Sequence, residues 1–188
     1  MKKLWAPWRM KYINGAVDKI EKGCILCKKP KSKADTDNYI LHRGQKAFVM
    51  MNIFPYNNGH LMIAPYQHVG DFTALNDGEL LEIMQLAQTC QKAISSVMKP
   101  QGYNLGFNLG RVAGAGIEDH LHLHLVPRWN GDTNFMPVLA NTKVVSEALD
   151  DTYKKLKKAL DKYFKSGKGS ASHVKENRKD TIHLADVK

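Results

Sequence analysis

The chain has 188 residues, of which 43% are hydrophobic and 24% charged, an ordinary balance for one globular domain with a sizeable core. Its formal net charge of +10 favours anionic partners without separating nucleotides from nucleic acids. There is no internal repeat, no visible signal peptide and no apolar run near the roughly 20 residues of a membrane-spanning helix, so a cytoplasmic protein without a membrane partner is expected.

The N-terminal third is the basic end, and within it Trp5 and Trp8 flank Pro7 as packing residues. Next comes Cys24-Ile-Leu-Cys27, a Cys-x-x-Cys pair, with Cys90 the only other cysteine. In a reducing compartment such a pair points to metal or redox chemistry rather than to a structural disulfide. Residues 39–43, 46–53, 60–65, 103–109 and 119–126 read as strands. Pro55, Asn57, Asn58 and Gly59 supply turn chemistry between the second and third.

Asn76 with Glu79 forms a capping box for a helix to about Met98, with Leu80, Ile83, Met84, Ala87, Cys90, Ile94 and Val97 as its core stripe. A loop from Asn108 to Ile117 carries Gly110, Gly114 and Gly116, which let backbone N–H groups approach an anion closely. A second helix is expected over residues 142–164, with Val145, Leu149, Tyr153, Leu156 and Leu160 inward and Lys154, Lys155, Lys157 and Lys158 on a solvated face. From 165 to 188 the composition turns to Ser, Gly and Lys and reads as a flexible tail, with His173 and His183 incidental to it. The domain is therefore 1–164, and its class α+β: an antiparallel sheet with packed helices.

The densest chemical signal is Asp119-His120-Leu121-His122-Leu123-His124-Leu125-Val126-Pro127-Arg128. Histidine and leucine alternate at a period of two, which on a strand puts three imidazoles on one face and three leucines on the other. His120 and His124 would then lie roughly 13 Å apart, at about 3.4 Å per residue. Zinc–nitrogen bonds are only about 2.0–2.1 Å, so one ion does not collect all three and the histidines divide their labour. A neutral imidazole is a good nucleophile and a protonated one a good acid.

The His-Leu-His-Leu-His-Leu-Val run resembles the histidine triad motif of the HIT superfamily of nucleotide hydrolases and transferases. Leu4 to Met10, Asn52 to Pro65, Gly106 to Gly110 and Pro127 to Phe135 are also similar to that family. The combination is most similar to its bacterial branch of diadenosine tetraphosphate phosphorylases and hydrolases, over about residues 3–150.

The resemblance implies a HIT-like fold in a two-fold dimer and an enzyme that cleaves dinucleoside polyphosphates. His122 would be the nucleophile, forming a covalent nucleotidyl-histidine released by phosphate or water, and His124 would help the leaving group depart. Substrate would be held by Phe48 and Ile53 at the base, Asn52 at the ribose, and Asn108, Gly114, Gly116, Ile117 and Arg128 along the phosphates. His60 is expected to be a buried structural histidine beside the site. Many relatives carry Gln, Ser or Thr about four residues before the first triad histidine; Ala115 and Gly116 stand there in this chain, leaving main-chain donors to hold the α-phosphate.

Zinc-bearing relatives add a Pro-x-x-His histidine and the first triad histidine to the two cysteines. This implies a structural Zn²⁺ at Cys24, Cys27, His68 and His120, with no open coordination position and no organic cofactor. The expected partners are an adenine nucleotide or dinucleoside polyphosphate and a second copy of the chain. Nucleic acid is not expected, since no zinc finger or helix-turn-helix signature is appended. Two alternatives stand beside this one: a nucleoside phosphoramidase, and a nucleotide-sensing module with little turnover.

Overall fold

The computed structural model describes residues 23–132 and 147–166. The expectations for Leu4 to Met10, Thr133 to Phe135, residues 142–146 and the tail lie outside those residues. Helix α1 (Ile25–Lys31) is followed by strands β1 (Ile40–Arg43), β2 (Ala47–Met51) and β3 (Leu61–Pro65), then helix α2 (Asp77–Met98), strands β4 (Gly102–Phe107) and β5 (Leu123–Arg128), and helix α3 (Leu149–Lys165). The five strands form one antiparallel sheet in the order β1-β2-β3-β5-β4. This is the expected α+β architecture.

The period-two alternation of each strand divides the molecule into two sides. Ala47, Val49 and Met51 of β2, Leu61 and Ile63 of β3, and Leu121, Leu123 and Leu125 face α2 and α3 in the larger core. Each such leucine contributes roughly 1.5–3 kcal/mol by burial. The opposite parity puts Phe48 and Met50, Met62 and Ala64 into a smaller cluster with Leu26 and Ile40. His120, His122 and His124 share that second parity.

Helix α2 starts where its capping box specifies: the Asn76 side chain accepts from Glu79 N–H, and the Glu79 carboxylate accepts from Asn76 N–H. Its buried stripe is centred on Ile83, Leu86, Ala87, Cys90, Ala93 and Ile94. Met84 is 45% exposed, at the flank of that stripe, and Val97, in the last turn, is 38% exposed. Helix α3 buries Thr152, Tyr153, Leu156, Ala159 and Leu160. It begins at Leu149, later than the expected Thr142, with Ala148 at the N-cap and Glu147 just before it accepting from Asn58, Thr152 and Lys155. Lys154, Lys155 and Lys158 are exposed, whereas the half-buried Lys157 donates to the Leu41 carbonyl and pairs with Asp161.

One element was not anticipated and one expectation is corrected. The Cys-x-x-Cys pair is part of a short helix, with Cys24 at its N-cap and Cys27 in its first turn. The triad strand begins at Leu123, not at Asp119, so His120 and His122 precede it. Upstream of Leu123 the chain has left the sheet: the Leu121 N–H donates to the Val69 carbonyl at 2.7 Å. A Cβ on Gly70 would meet the Glu118 carbonyl oxygen at 2.8 Å, so only glycine allows these segments so close. That approach carries His68 to His120. No helix among the described residues is long and apolar enough to cross a membrane.

Candidate active site

The three triad histidines are buried, yet each has a different environment. His122 is fixed by its own backbone: its Nδ1–H donates to the His120 carbonyl at 2.9 Å. A carbonyl only accepts, so the proton lies on Nδ1 and the Nε2 lone pair is left for chemistry. Burial lowers the His122 pKa, partly countered by that backbone bond, which keeps the ring neutral near pH 7.

His124 stands beside it, with ring centroids 4.7 Å apart and nearly perpendicular planes. The Tyr56 N–H donates to His60 Nδ1 at 3.0 Å, so the His60 proton must sit on Nε2. His60 Nε2–H then donates to His124 Nδ1 at 2.9 Å, leaving the His124 proton on Nε2, on the site side. Burial, reinforced by the neighbouring His122, pushes the His124 pKa down to about 4. A neutral Nε2–H is therefore held beside the His122 lone pair. His60 is fully buried beside the site as expected; its bond to His124, which the sequence did not show, arises because it lies just before β3, two residues from Met62, the register partner of His124.

Asn108 closes this side. Its amide nitrogen is 3.4 Å from His124 Nε2, 3.5 Å from the Gly114 carbonyl and 3.4 Å from the Tyr56 hydroxyl. The Asn52 side chain accepts from Phe54 N–H at 2.9 Å and donates to His60 Nδ1 at 3.3 Å, so it shapes a turn and props His60. Phe48 is fully buried beneath the histidine face, stacked on Tyr66, with Ile117 packed against its cluster; Ile53 is half-buried. Gly114 and Gly116 are exposed on the Asn108–Ile117 loop. The loop turns through Gly110 and Gly114 at φ of 80° and 94°. The N–H groups of Ala113, Gly114 and Ala115 are used within it.

Arg128 has partners within the protein. Its guanidinium donates to both Asp132 carboxylate oxygens, at 2.6 and 2.9 Å, and to Asn104 at 2.7 Å. This fork is closed on protein partners, while the Arg128 side chain stays 42% exposed.

At the other end of the triad, Cys24, Cys27, His68 and His120 converge, with one ligand atom from each lying within 4.8 Å of all the others. The Sγ–Nδ1 distances are 3.3 Å (Cys24–His120), 3.3 Å (Cys27–His68) and 3.4 Å (Cys27–His120), and the two Nδ1 atoms are 3.3 Å apart. Ligands of one tetrahedral ion at about 2.0–2.3 Å lie roughly 3.3–3.8 Å from one another, so the spacing suits a metal. His120 adds an independent argument, since its Nε2–H donates to the Pro65 carbonyl at 2.9 Å and turns the bare Nδ1 lone pair into the cluster. Burial and the adjacent Cys24 raise the Cys27 pKa, so an arriving cation would displace its proton.

Comparison with known proteins agrees with this arrangement. The model of the HIT domain matches residues 33–131. The AP-4-A phosphorylase of Mycobacterium tuberculosis is 36% identical over 157 residues, 81% of this chain and 80% of that protein. The adenosine 5'-monophosphoramidase hnt1 of Schizosaccharomyces pombe is 31% identical over 107 residues, 57% of this chain and 75% of that one. Among solved structures, a zinc-bound histidine triad family protein from Mycobacterium smegmatis superposes with a TM-score of 0.62 at 22% identity, covering 77% of this chain and 97% of its own. With a family model spanning more than half its length and a relative this similar over four-fifths of it, the chain belongs to the HIT family of nucleotide hydrolases and transferases and is an enzyme of that family.

Proposed function

We propose that the protein cleaves dinucleoside polyphosphates such as diadenosine tetraphosphate through a covalent nucleotidyl-His122. The observation that carries the reading is the pair of opposed tautomers: a bare Nε2 on His122 and a protonated Nε2 on His124. His122 Nε2 attacks the α-phosphorus, forming a P–N bond as the P–O bond to the remaining polyphosphate breaks. His124 Nε2–H hydrogen-bonds the departing oxygen and stabilises its developing negative charge while keeping its proton, and the bond from His60 behind it favours that tautomer. Positioning and charge stabilisation carry most of such a transfer. Asn108 and the N–H groups of Gly116 and Ile117, which have no acceptor among the described residues, are the donors for the α-phosphate. An oxygen of phosphate or water then attacks phosphorus, the P–N bond breaks and His122 is restored.

Phe48, Ile53 and Ile117 are the apolar ground for the base. Asn52 can reach the ribose only with the donor and lone pair its turn leaves over. Cys24, Cys27, His68 and His120 would hold a structural Zn²⁺, which when bound ties α1 to the chain just before β5. The M. smegmatis relative, described as zinc-bound, supports this. The exposed edge of β4, at Asn104, Leu105 and Gly106, supports pairing of two copies about a two-fold axis. The fission yeast relative, named for adenosine 5'-monophosphoramidase activity, favours one second reading, in which the same site breaks a P–N bond.

The test is incubation with diadenosine tetraphosphate, with and without inorganic phosphate, followed by chromatography. ADP plus ATP formed only with phosphate identifies a phosphorylase. ATP plus AMP without phosphate identifies a hydrolase. Turnover of adenosine monophosphoramidate alone would reject the dinucleotide reading.

A further inference from the structure

A tetraphosphate chain presents about four negative charges, and the described catalytic face offers little to meet them. The side chains and backbone groups bonded to His60, His122 and His124 come from residues 52–60, 102–118 and 120–128. These segments hold two cationic side chains besides histidine, Arg111 and Arg128. Arg128 is clamped by Asp132 and Asn104. His124, with its depressed pKa, adds no charge at neutral pH.

Arg111 is different in every respect. Its side chain is 87% exposed, and its one ion-pair partner, Glu118, sits 3.5 Å away and is itself 41% exposed, a geometry that restrains little. It opens the short 3-10 turn Arg111–Ala113, whose tip residue Val112 is fully exposed among the described residues. The base of that turn is nevertheless tied down. The Arg111 N–H donates to Glu118 at 2.6 Å, and the Arg111 carbonyl accepts from Gly114 N–H at 2.9 Å. The Gly114 carbonyl in turn lies 3.5 Å from the Asn108 amide that touches His124. Arg111 lies three positions after Asn108, so their Cα atoms are at most about 11 Å apart. A long, weakly held guanidinium thus hangs from a fixed point beside the scissile position.

We infer that Arg111 binds the phosphates beyond the scissile one and so sets the preference for a polyphosphate over a mononucleotide. The inference rests on the polyphosphate-cleaving reading above and adds to it the residue that reads chain length. Asn108 and the loop N–H groups serve the α-phosphate, which every nucleotide substrate has. Arg111 serves the β- to δ-phosphates, which only a polyphosphate has, leaving Glu118 as they arrive. A guanidinium fork matches two phosphate oxygens at once, which a lysine cannot do.

The experiment is calorimetric binding of AMP and of ATP to the full-length protein at fixed ionic strength, for wild type, Arg111→Ala and Arg111→Lys. Wild-type turnover of diadenosine tetraphosphate is measured alongside. Loss of a charge-assisted pair should weaken ATP binding by about tenfold or more in Arg111→Ala. AMP binding should hold within about twofold and Arg111→Lys should fall between, as a point charge replacing a fork. Equal weakening of AMP and ATP, or no change in either, overturns the assignment. If wild type binds ATP over AMP through Arg111 but leaves diadenosine tetraphosphate intact, the reaction is wrong while the role of Arg111 stands.

Discussion

His120 and His124 are the same residue type, four positions apart on one face, and they have opposite surroundings. His120 gives its Nε2–H to a carbonyl and directs a bare Nδ1 at two thiols and a second imidazole. His124 receives a proton donor at Nδ1 and keeps its own hydrogen on Nε2. Both are pushed toward the neutral form by burial. What differs is which nitrogen is free, and that is decided by a neighbour from another strand or loop. The tautomer, more than the pKa, makes one end of the triad a ligand and the other a donor.

The comparison breaks first at the middle histidine, which belongs to neither end. His122→Ala should lower turnover by more than about a thousandfold, since no other group on this face offers a bare imidazole nitrogen to phosphorus. Its melting temperature and metal content should match wild type. A retained wild-type rate, read by chromatography, would remove His122 from the mechanism.

The His120 end is tested by Cys24→Ser. Zinc by elemental analysis should fall from about one ion per chain to near none, because four protein ligands are needed to close the site. Tm should drop by roughly 10 °C, as befits several kcal/mol lost from a chain of this size. Turnover at a permissive temperature should decline by only about tenfold, through the His120 carbonyl that orients His122. A metal-replete wild-type preparation that holds no zinc would sink the assignment.

The smallest effect is expected at the His124 end and appears as pH dependence. Between pH 6.5 and about 4 the unfolded chain protonates His124 while the folded chain does not. The unfolded state binds more protons there, so stability is full above pH 6.5 and falls as pH drops, by up to about 3 kcal/mol. Denaturant titrations of wild type and His124→Asn should converge or diverge by that amount across the window and run parallel above it. Curves parallel throughout would mean that His124 keeps an ordinary pKa.

Periodicity made much of the fold legible. Alternating residues located five strands, and the Asn76–Glu79 capping box marked the start of α2 to the residue. The places where it failed share a cause. Nothing local signals that the chain leaves the sheet before Leu123, because the departure is driven by contact with Val69 and Gly70, some fifty residues away. The bonds of Arg128 to Asp132 and Asn104 were likewise not legible, because a turn and a neighbouring strand bring those partners to it. His60 was legible as buried beside the site, but not its bond to His124, which exists only once β3 lies against β5.

Thus residue type and spacing alone determined the α+β class, the leucine face, the alternating run of histidines and a Cys-x-x-Cys pair; that the pair joins His68 and His120 came only from family resemblance. Tertiary structure decided which atoms of those residues are free to act. Pattern is a property of neighbours along the chain, whereas a hydrogen's position on an imidazole depends on whatever donor or acceptor the fold presses against it.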